Sequence, residues 1–259
     1  MGMNMAKMQD IEEASRRVLV WFSAGAASAV ALKIAKDTYG DVLAVYLDTH
    51  SEHPDNKRFI LDVEKWLGVH VACSSSGEYR DIWDVFERTR WLVGPAGARC
   101  TTELKKKVRH LIEMPGDLQV YGYTVEEKER LARFEKNNPE INIWCPLIER
   151  GISKADCLDI IHQAGIELPT MYKLGFRNNN CIGCVKGGQK YWARTRKHFP
   201  EVFERMARLE RELDVAINKT YAGDGERKRL FLDELPDDIS ITEPETSISC
   251  GLFCGGLID

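Results

Sequence analysis

Long apolar runs are missing from this sequence. No uninterrupted stretch of its 259 residues approaches the roughly 20 apolar residues that a membrane-spanning helix needs. Residues 1–10 also lack the apolar core of a secretory signal. We therefore expect a cytoplasmic protein without a membrane partner.

A strong excess of charge of one sign is missing too. The chain has 36 Lys and Arg residues against 40 Asp and Glu residues, which gives a formal net charge of −4. This balance argues against a surface built for bulk binding of nucleic acid, although a local basic patch can still hold a phosphate or an oligonucleotide. With 44% hydrophobic residues, the chain is long enough to bury a substantial core.

Cysteine, by contrast, occurs eight times. A cytosolic protein keeps its thiols mostly reduced, so grouped cysteines favour metal ligation or catalysis over disulfides. One group is Cys181-Ile182-Gly183-Cys184, and a second holds Cys250 and Cys254. Free cysteine packs like a small apolar residue, so three single cysteines are predicted to be buried bystanders, namely Cys73, Cys145 and Cys157.

Apolar segments alternate with amphipathic ones from residue 17 onward. Strands are predicted, with helices between them, at Val18–Phe22, Val42–Leu47, Val69–Ala72, Leu118–Tyr121 and Ile141–Trp144. This alternation is typical of α/β proteins, in which helices wrap a parallel sheet. We therefore predict a doubly wound, Rossmann-like sheet of about five strands at 17–150. Residues 151–259 are predicted to form a helical, cysteine-bearing extension, with a long helix at 200–218 and a loop-like tail beyond Tyr221.

The loop after the first strand consists of small residues, Ser23-Ala24-Gly25-Ala26-Ala27-Ser28. In a parallel sheet the ligand lies at the carboxyl ends of the strands, where helix N-termini present N–H groups. The second strand ends at the same edge, in the polar cluster Asp48-Thr49-His50-Ser51-Glu52-His53-Pro54. These loops predict an anion site, although a small-residue loop can equally be an ordinary tight turn.

Four segments together carry a resemblance to a known family. They are Ser23 to Ser28, Asp48-Thr49 with Pro54, the segment Arg99-Cys100-Thr101-Thr102-Glu103-Leu104-Lys105, and Leu174-Gly175-Phe176 leading into Cys181 to Cys184. In these the chain resembles the phosphoadenosine phosphosulfate (PAPS) reductase family, within the adenine nucleotide α-hydrolase superfamily that also holds the PP-loop ATP pyrophosphatases. The resemblance implies that an adenine nucleotide, ATP or PAPS, is the substrate.

The resemblance also implies roles for individual residues. The phosphates of the nucleotide would be held by the first loop, at Ser23, Gly25, Ala26 and Ser28. Asp48 and Thr49 would lie beside the adenosine, and Gly122 and Tyr123 would flank the site.

Two departures from the family pattern bear on the reaction. The aspartate that ATP pyrophosphatases carry before the second serine is Ala27 here, which moves the interpretation toward sulfonucleotide reductases. An arginine expected two residues after Gly122 is replaced by Thr124, and Arg130 or Arg133 of the following helix are candidates to supply it.

The same resemblance sorts the cysteines. Adenylylsulfate reductases with a [4Fe-4S] cluster use a Cys-Cys pair before a basic helix together with a later Cys-x-x-Cys pair. Here Cys100, Cys181 and Cys184 match, while Thr101 replaces the fourth ligand. The resemblance implies either that Cys254 or Cys250 supplies this ligand or that the cluster keeps an open iron. A zinc site made of the four cysteines at positions 181, 184, 250 and 254 is the alternative, because four thiolates suit either metal.

The nucleophile of the reductases is a cysteine in a carboxy-terminal Glu-Cys-Gly motif, which Ser249-Cys250-Gly251 matches in part. Cys250 is thus a candidate nucleophile as well as a candidate ligand. Arg99 and Lys105, and Lys186 with them, are candidates to approach the anionic substrate. The alternative for these basic residues is an ordinary solvated helix face.

Three functions remain compatible with these residues. The leading hypothesis is an enzyme that reduces a sulfonucleotide and yields sulfite. The second is an ATP pyrophosphatase that adenylates a substrate, a nucleic acid among the choices, for sulfur insertion. The third is a non-catalytic nucleotide-sensing module, which Ala27 and the altered tail suggest. A thiol reductant, a sulfur-donor protein, a nucleic acid and a second copy of the chain stay open as partners.

Overall fold

The computed structural model describes residues 16–94, 97–221 and 225–242. The predicted roles of Cys250 and Cys254 therefore lie outside the described residues. No helix in the described ranges is both long and apolar enough to cross a membrane.

A five-stranded parallel sheet forms the centre of the fold, in the order β3-β2-β1-β6-β7. Its strands are β1 (Val18–Phe22), β2 (Leu43–Leu47), β3 (Val71–Ser74), β6 (Leu118–Val120) and β7 (Asn142–Trp144). All five residues of β1 are buried, as expected for a central strand covered on both faces. The predicted α/β class and strand number are confirmed, with β3 displaced by two residues from its predicted position.

Two short antiparallel pairs accompany this sheet. The first joins β4 (Val93–Gly94) to β5 (Gly97–Ala98), and the second joins β8 (Asn218–Tyr221) to β9 (Arg227–Leu230).

Helices connect the strands and continue into the C-terminal half. They are α1 (Ala26–Tyr39), α2 (Asn56–Leu67), α3 (Ile82–Thr89), α4 (Arg99–Thr101), α5 (Lys107–Ile112), α6 (Lys128–Asn137), α7 (Pro146–Glu149), α8 (Lys154–Gln163), α9 (Thr170–Lys173), α10 (Gln189–His198) and α11 (Pro200–Leu213). A π-helical turn, Thr102–Lys106, joins α4 to α5, and short 3₁₀ helices lie at Val125–Glu127 and Leu232–Glu234.

The chain divides into two compact units, and neither is one continuous stretch. The first unit contains residues 16–46, 58–73 and 112–168, and the second contains residues 47–57, 74–111 and 169 onward. The first is built on the sheet, where α1 packs against α8. The second has its own core around fully buried aromatic side chains, among them Phe86, Phe176, Tyr191 and Trp192. The predicted domain boundary at residue 150 stays a prediction.

Two local predictions for the C-terminal half are wrong. The helix predicted at 200–218 ends at Leu213, because Asp214 takes a left-handed conformation (φ +52°) and stops the helical hydrogen-bond ladder. The tail predicted to be loop-like beyond Tyr221 contains β9 and a 3₁₀ turn. Its strand was hidden because Arg227-Lys228-Arg229 offers no alternation of apolar and polar residues.

Candidate functional site

The loop between β1 and α1 is closed by the hydroxyl group of Ser28. The backbone N–H groups of Ser23 and Gly25 donate to Ser28 Oγ at 3.1 and 3.3 Å, and Ser28 Oγ donates to the Gly25 carbonyl at 2.9 Å. Ala24 has a left-handed backbone (φ +55°), which few residues with a Cβ adopt. Strain of this kind concentrates at ligand-binding turns. The small residues of this segment thus form a tight turn held by one buried hydroxyl.

Helix α1 begins directly after this turn. Gly25 is its N-cap residue in an extended conformation, and Ala26 is its first helical residue. The first N–H groups of a helix lack partners within the helix, and the dipole of 14 residues places partial positive charge beside them. This end of α1 has the chemistry that phosphate groups need.

Gly122 follows β6 and packs against the same turn. A Cβ atom built on Gly122 would lie 2.8 Å from both Cα and N of Ser28 and 2.9 Å from the carbonyl carbon of Ala27. Carbon atoms pack at about 3.5–4.0 Å, so no larger residue fits without moving the loop. Gly122 therefore fixes the position of the Ser23–Ser28 turn through backbone packing within the first unit.

Tyr123 lies beside Gly122 among aromatic and basic side chains. Its ring stacks on Tyr121 with a centroid distance of 5.8 Å, and the Arg130 guanidinium carbon lies 4.6 Å from the ring centre. Arg130 also donates to Glu127 at 2.5 Å. Arg130 and Arg133 were the candidates to supply the arginine that Thr124 replaces. Of these two, Arg130 contacts the ring of Tyr123.

Three of the predicted metal-ligating cysteines line one small cavity in the second unit. Cys100, Cys181 and Cys184 surround a space of about 10 Å³, together with mostly apolar neighbours including Ile82, Phe86, Leu104 and Val185. A space of this size holds about one water molecule. Nowhere in the described ranges do three or more Cys, His, Asp or Glu residues form a group arranged to hold a metal ion. The structure thus gathers the three thiols, while the iron–sulfur ligand set stays a prediction.

Cys100 and Lys105 reach this cavity from an irregular helix. Cys100 belongs to α4, and Lys105 belongs to the π-helical turn that follows. Single π-helical turns inside α-helices are frequent at functional sites. Thr101, the last residue of α4, also lines the cavity, and its buried Oγ1 forms no hydrogen bond within the described residues.

Cys181 has polar neighbours despite its burial. Its sulfur lies 3.2 Å from Thr49 Oγ1, and it donates to Glu52 Oε1 at 3.4 Å. Thr49 donates to the other oxygen of Glu52 at 2.6 Å, and Lys105 Nζ lies 3.6 Å from Glu52 Oε1. The side chain of Glu52 is only 6% exposed, and its carboxylate is therefore shared by a thiol, a hydroxyl and an ammonium group.

A buried tyrosine organises the Cys-x-x-Cys loop. The hydroxyl oxygen of Tyr191 accepts from the N–H groups of Gly183 and Cys184, both at 2.9 Å, and the hydroxyl donates to the carbonyl of Cys181 at 2.8 Å. Burial raises the pKa of Tyr191 well above its ordinary value, so the hydroxyl stays protonated and keeps this pattern. The loop that carries the two cysteines is thus folded around one phenol group.

The sequence arguments assigned no role to Glu52 and Tyr191. Glu52 belongs to the polar cluster after β2, and this position could have marked it as a candidate site residue. Tyr191 had no such signal, because its hydroxyl meets the Cys-x-x-Cys loop only after α10 folds back onto it.

The remaining predicted residues differ in their surroundings. Arg99 pairs with Glu103 at 2.7 Å, and its side chain is 46% exposed. Asp48 Oδ1 accepts from the N–H of His50 at 2.7 Å, whereas Thr49 lines the cysteine cavity. That Asp48 and Thr49 lie beside an adenosine, and that Arg99 and Lys105 meet an anionic substrate, stays a prediction.

The single cysteines follow the prediction in two cases of three. Cys145 and Cys157 are buried, and burial raises the pKa of each thiol to about 12, which leaves them unreactive at neutral pH. Cys73 is exposed, so its predicted burial is wrong. It lies near the end of β3, the strand that the sequence placed two residues too early.

The structure is that of an α/β protein whose first helix begins at a tight turn of small residues. A family model described as the phosphoadenosine phosphosulfate reductase domain matches residues 17–190. The chain belongs to this family, and the predicted resemblance is confirmed.

One curated relative adds little about the reaction. An uncharacterized protein of Methanocaldococcus jannaschii is 23% identical over 193 residues. The match covers 71% of this chain and 45% of that protein, so the chain spans less than half of the relative's length.

Proposed function

We propose that this protein is an enzyme that reduces a sulfonucleotide of the PAPS type, with a cysteine as nucleophile. The observation that carries the proposal is the gathering of Cys100, Cys181 and Cys184 around one cavity with Lys105. A plain nucleotide-binding protein has no need of three thiols beside a cation. The reductase pattern uses cysteines at these three places.

In this proposal the turn at the start of α1 holds the phosphate groups of the nucleotide. The family pattern assigns the phosphates to Ser23, Gly25, Ala26 and Ser28 of this turn, and the positive end of the helix dipole favours the anion. Gly122 and Tyr123 flank the turn. Asp48 and Thr49 are assigned to the adenosine by the family pattern.

Cys250 performs the chemical step. Its thiolate attacks the sulfonyl sulfur, so that a sulfur–sulfur bond forms and the bond from sulfur to the phosphate oxygen breaks. The leaving group is the adenosine phosphate, which carries away the electron pair of the broken bond. An external thiolate then attacks Cys250 Sγ, forms a disulfide with it and releases sulfite.

Arg99 and Lys105 are proposed to neutralise the sulfonate and phosphate charges. Both side chains are engaged with carboxylates, at 2.7 Å to Glu103 and 3.6 Å to Glu52, so each is already oriented. An anionic substrate would compete with these carboxylates for the cations.

We further propose that Cys100, Cys181, Cys184 and Cys254 hold a [4Fe-4S] cluster. Three thiols facing one apolar space are the correct donor type, since thiolates bind iron–sulfur clusters. When bound, the cluster would supply iron–thiolate bonds that tie together the segments carrying these cysteines. Zinc bound by thiolates is the competing cofactor. Anaerobically purified protein with iron, sulfide and a broad visible absorbance supports the cluster, whereas colourless protein that contains zinc contradicts it.

Product analysis with two nucleotides tests the reaction. Reduced protein is incubated with PAPS or with ATP in the presence of a thiol, and sulfite and pyrophosphate are measured. We expect sulfite from PAPS and no pyrophosphate from ATP, in agreement with the absence of the aspartate at Ala27. The variant Cys250→Ser should release no sulfite, whereas Cys73→Ser, which removes an exposed cysteine outside the cavity, should retain activity.

The other outcomes each contradict the proposal in a defined way. Pyrophosphate from ATP would assign the chain to the ATP pyrophosphatases that prepare a substrate for sulfur insertion. Tight nucleotide binding without any product from the reduced, metal-loaded protein would make it a nucleotide-sensing module.

A further inference from the structure

The antiparallel ribbon β8–β9 carries an unusual set of side chains on one face. In an antiparallel pair, residues opposite each other share a face, and successive residues alternate between faces. Lys219 pairs with Arg229 and Tyr221 pairs with Arg227, so these four side chains lie on the same face. The other face includes Asn218, which is buried, and Leu230, which packs against the core of the second unit. The face with three cations and one tyrosine is therefore the outer one.

These outer side chains are open to solvent. Tyr221 is 71% exposed, and Lys219, Arg227 and Arg229 are exposed as well. The eight residues of the two strands include four basic residues and no acidic one, in a chain whose formal net charge is −4. Positive charge is thus concentrated on the ribbon, although the whole chain has a negative formal charge.

Most of this charge is not neutralised within the described part of the chain. Arg229 pairs with Asp214 at 2.9 Å, but Lys219, Arg227 and Lys228 form no ion pair with any described residue. Like charges placed opposite each other in a sheet, as in Lys219 and Arg229, destabilise the pairing. A fold that tolerates this repulsion is consistent with an anionic partner that relieves it.

We propose that the outer face of the β8–β9 ribbon binds single-stranded nucleic acid. Lys219, Arg227 and Arg229, the three cations of that face, contact successive phosphates, and Tyr221 offers its exposed ring for stacking on a base. Cationic side chains beside an exposed aromatic ring are the combination that single-strand binding proteins use, because every base has a face that can stack. A phosphate-only ligand gives no reason for the tyrosine. This inference goes beyond the reduction of a sulfonucleotide and does not depend on it.

The ribbon is also tied to the cysteine-bearing part of the second unit. Gln189 Nε2 donates to the carbonyl of Lys219 at 3.0 Å, and Gln189 is the first residue of α10, five residues after Cys184. This bond fixes the start of β8 while leaving its side chains outward.

Salt dependence of binding tests the proposal on the full chain. A fluorescently labelled oligothymidylate or oligouridylate is titrated with protein between about 50 and 200 mM salt, and anisotropy reports binding. Three phosphate contacts predict a slope of about −2 for log Kobs against log salt concentration, at about −0.7 per contact on a single strand. Lys219→Ala/Arg227→Ala should reduce the slope to about −0.7.

Matched variants distinguish binding by the ribbon from binding by basic residues elsewhere on the surface. Lys57→Ala/Lys65→Ala removes two exposed lysines of α2 and should leave the slope unchanged. Tyr221→Ala should weaken binding about fivefold or more without changing the slope, because stacking contributes about 1 kcal/mol or more per base. Tyr221→Phe should retain affinity, since it keeps the ring. Equal melting temperatures would show that the variants are folded.

Several results would overturn the proposal. They are an affinity that the ribbon variants do not change, stronger binding to duplex than to single strands, and ribbon-dependent binding to phosphatidylserine vesicles without binding to oligonucleotides. The titration contains no adenine nucleotide, so a negative result does not bear on the proposed sulfur chemistry. Likewise, a negative result in the product assay does not bear on binding of nucleic acid by the ribbon.

Discussion

The close packing of Gly122 on the Ser23–Ser28 turn gives a sharp prediction. In Gly122→Ala, the new Cβ atom would lie 2.8 Å from Cα and N of Ser28 and 2.9 Å from the carbonyl carbon of Ala27. All three are backbone atoms, so no side-chain rotation can relieve the overlap. The turn has to move away from the end of β6.

The size of the effect follows from these distances. Restoring ordinary carbon contacts of about 3.5 Å requires a displacement of about 0.7 Å. Overpacking of this kind costs about 1–3 kcal/mol of the free energy of unfolding. Hydrogen bonds to a charged group contribute about 1.5–3 kcal/mol each, so losing the alignment of one N–H group should weaken nucleotide binding by at least about tenfold.

Calorimetry can measure both consequences on one protein sample. Thermal unfolding gives the stability change, and titration with PAPS or ATP gives the dissociation constant. Gly77→Ala is the matched control, because a Cβ atom built on Gly77 would have no neighbouring atom within 4 Å and the backbone there does not need glycine. Unchanged stability and unchanged nucleotide affinity in Gly122→Ala would refute the assigned role of this contact.

Three other substitutions test separate parts of the structure. Ser28→Ala leaves the N–H groups of Ser23 and Gly25 without their acceptor, so we expect a loss of about 1–3 kcal/mol in chemical denaturation and weaker nucleotide binding; unchanged values would disprove the closing role of the hydroxyl. Tyr191→Phe removes the acceptor of two N–H groups in the Cys-x-x-Cys loop, so Cys181 and Cys184 should react faster with a thiol reagent, and wild-type rates would contradict this. Burial raises the pKa of Glu210 from 4.5 to about 7, so its contribution to stability is fully present below about pH 4.5 and is lost as the pH rises through about 7, by up to about 3 kcal/mol. Glu210→Gln cannot titrate and should flatten this part of the pH profile of unfolding; an identical profile would exclude the assignment.

The sheet was predictable because its signal is local. Short apolar runs of strand length, separated by amphipathic segments, determine where strands and helices alternate, and the small residues between β1 and α1 leave few conformations open. The strand pairing that places Gly122 against Ser28 then follows from a parallel sheet, since both residues follow strands that are neighbours, β1 and β6.

The second unit was harder to predict because its contacts are long-range. Cys181 meets Thr49 across 132 residues and Glu52 across 129, and no periodic pattern links such positions. The ribbon β8–β9 escaped prediction for another reason. Its strands carry Lys and Arg where an ordinary strand alternates apolar with polar residues, and the pairing becomes visible only from the backbone register.

Trapping the covalent intermediate tests the proposed reaction most directly. Reduced protein is mixed with PAPS in the absence of any external thiol, and its peptides are then analysed by mass spectrometry. The account predicts an S-sulfonate on the peptide that contains Cys250, formed together with the free adenosine phosphate. Unmodified Cys250, or a sulfonate carried by a different cysteine, would contradict it.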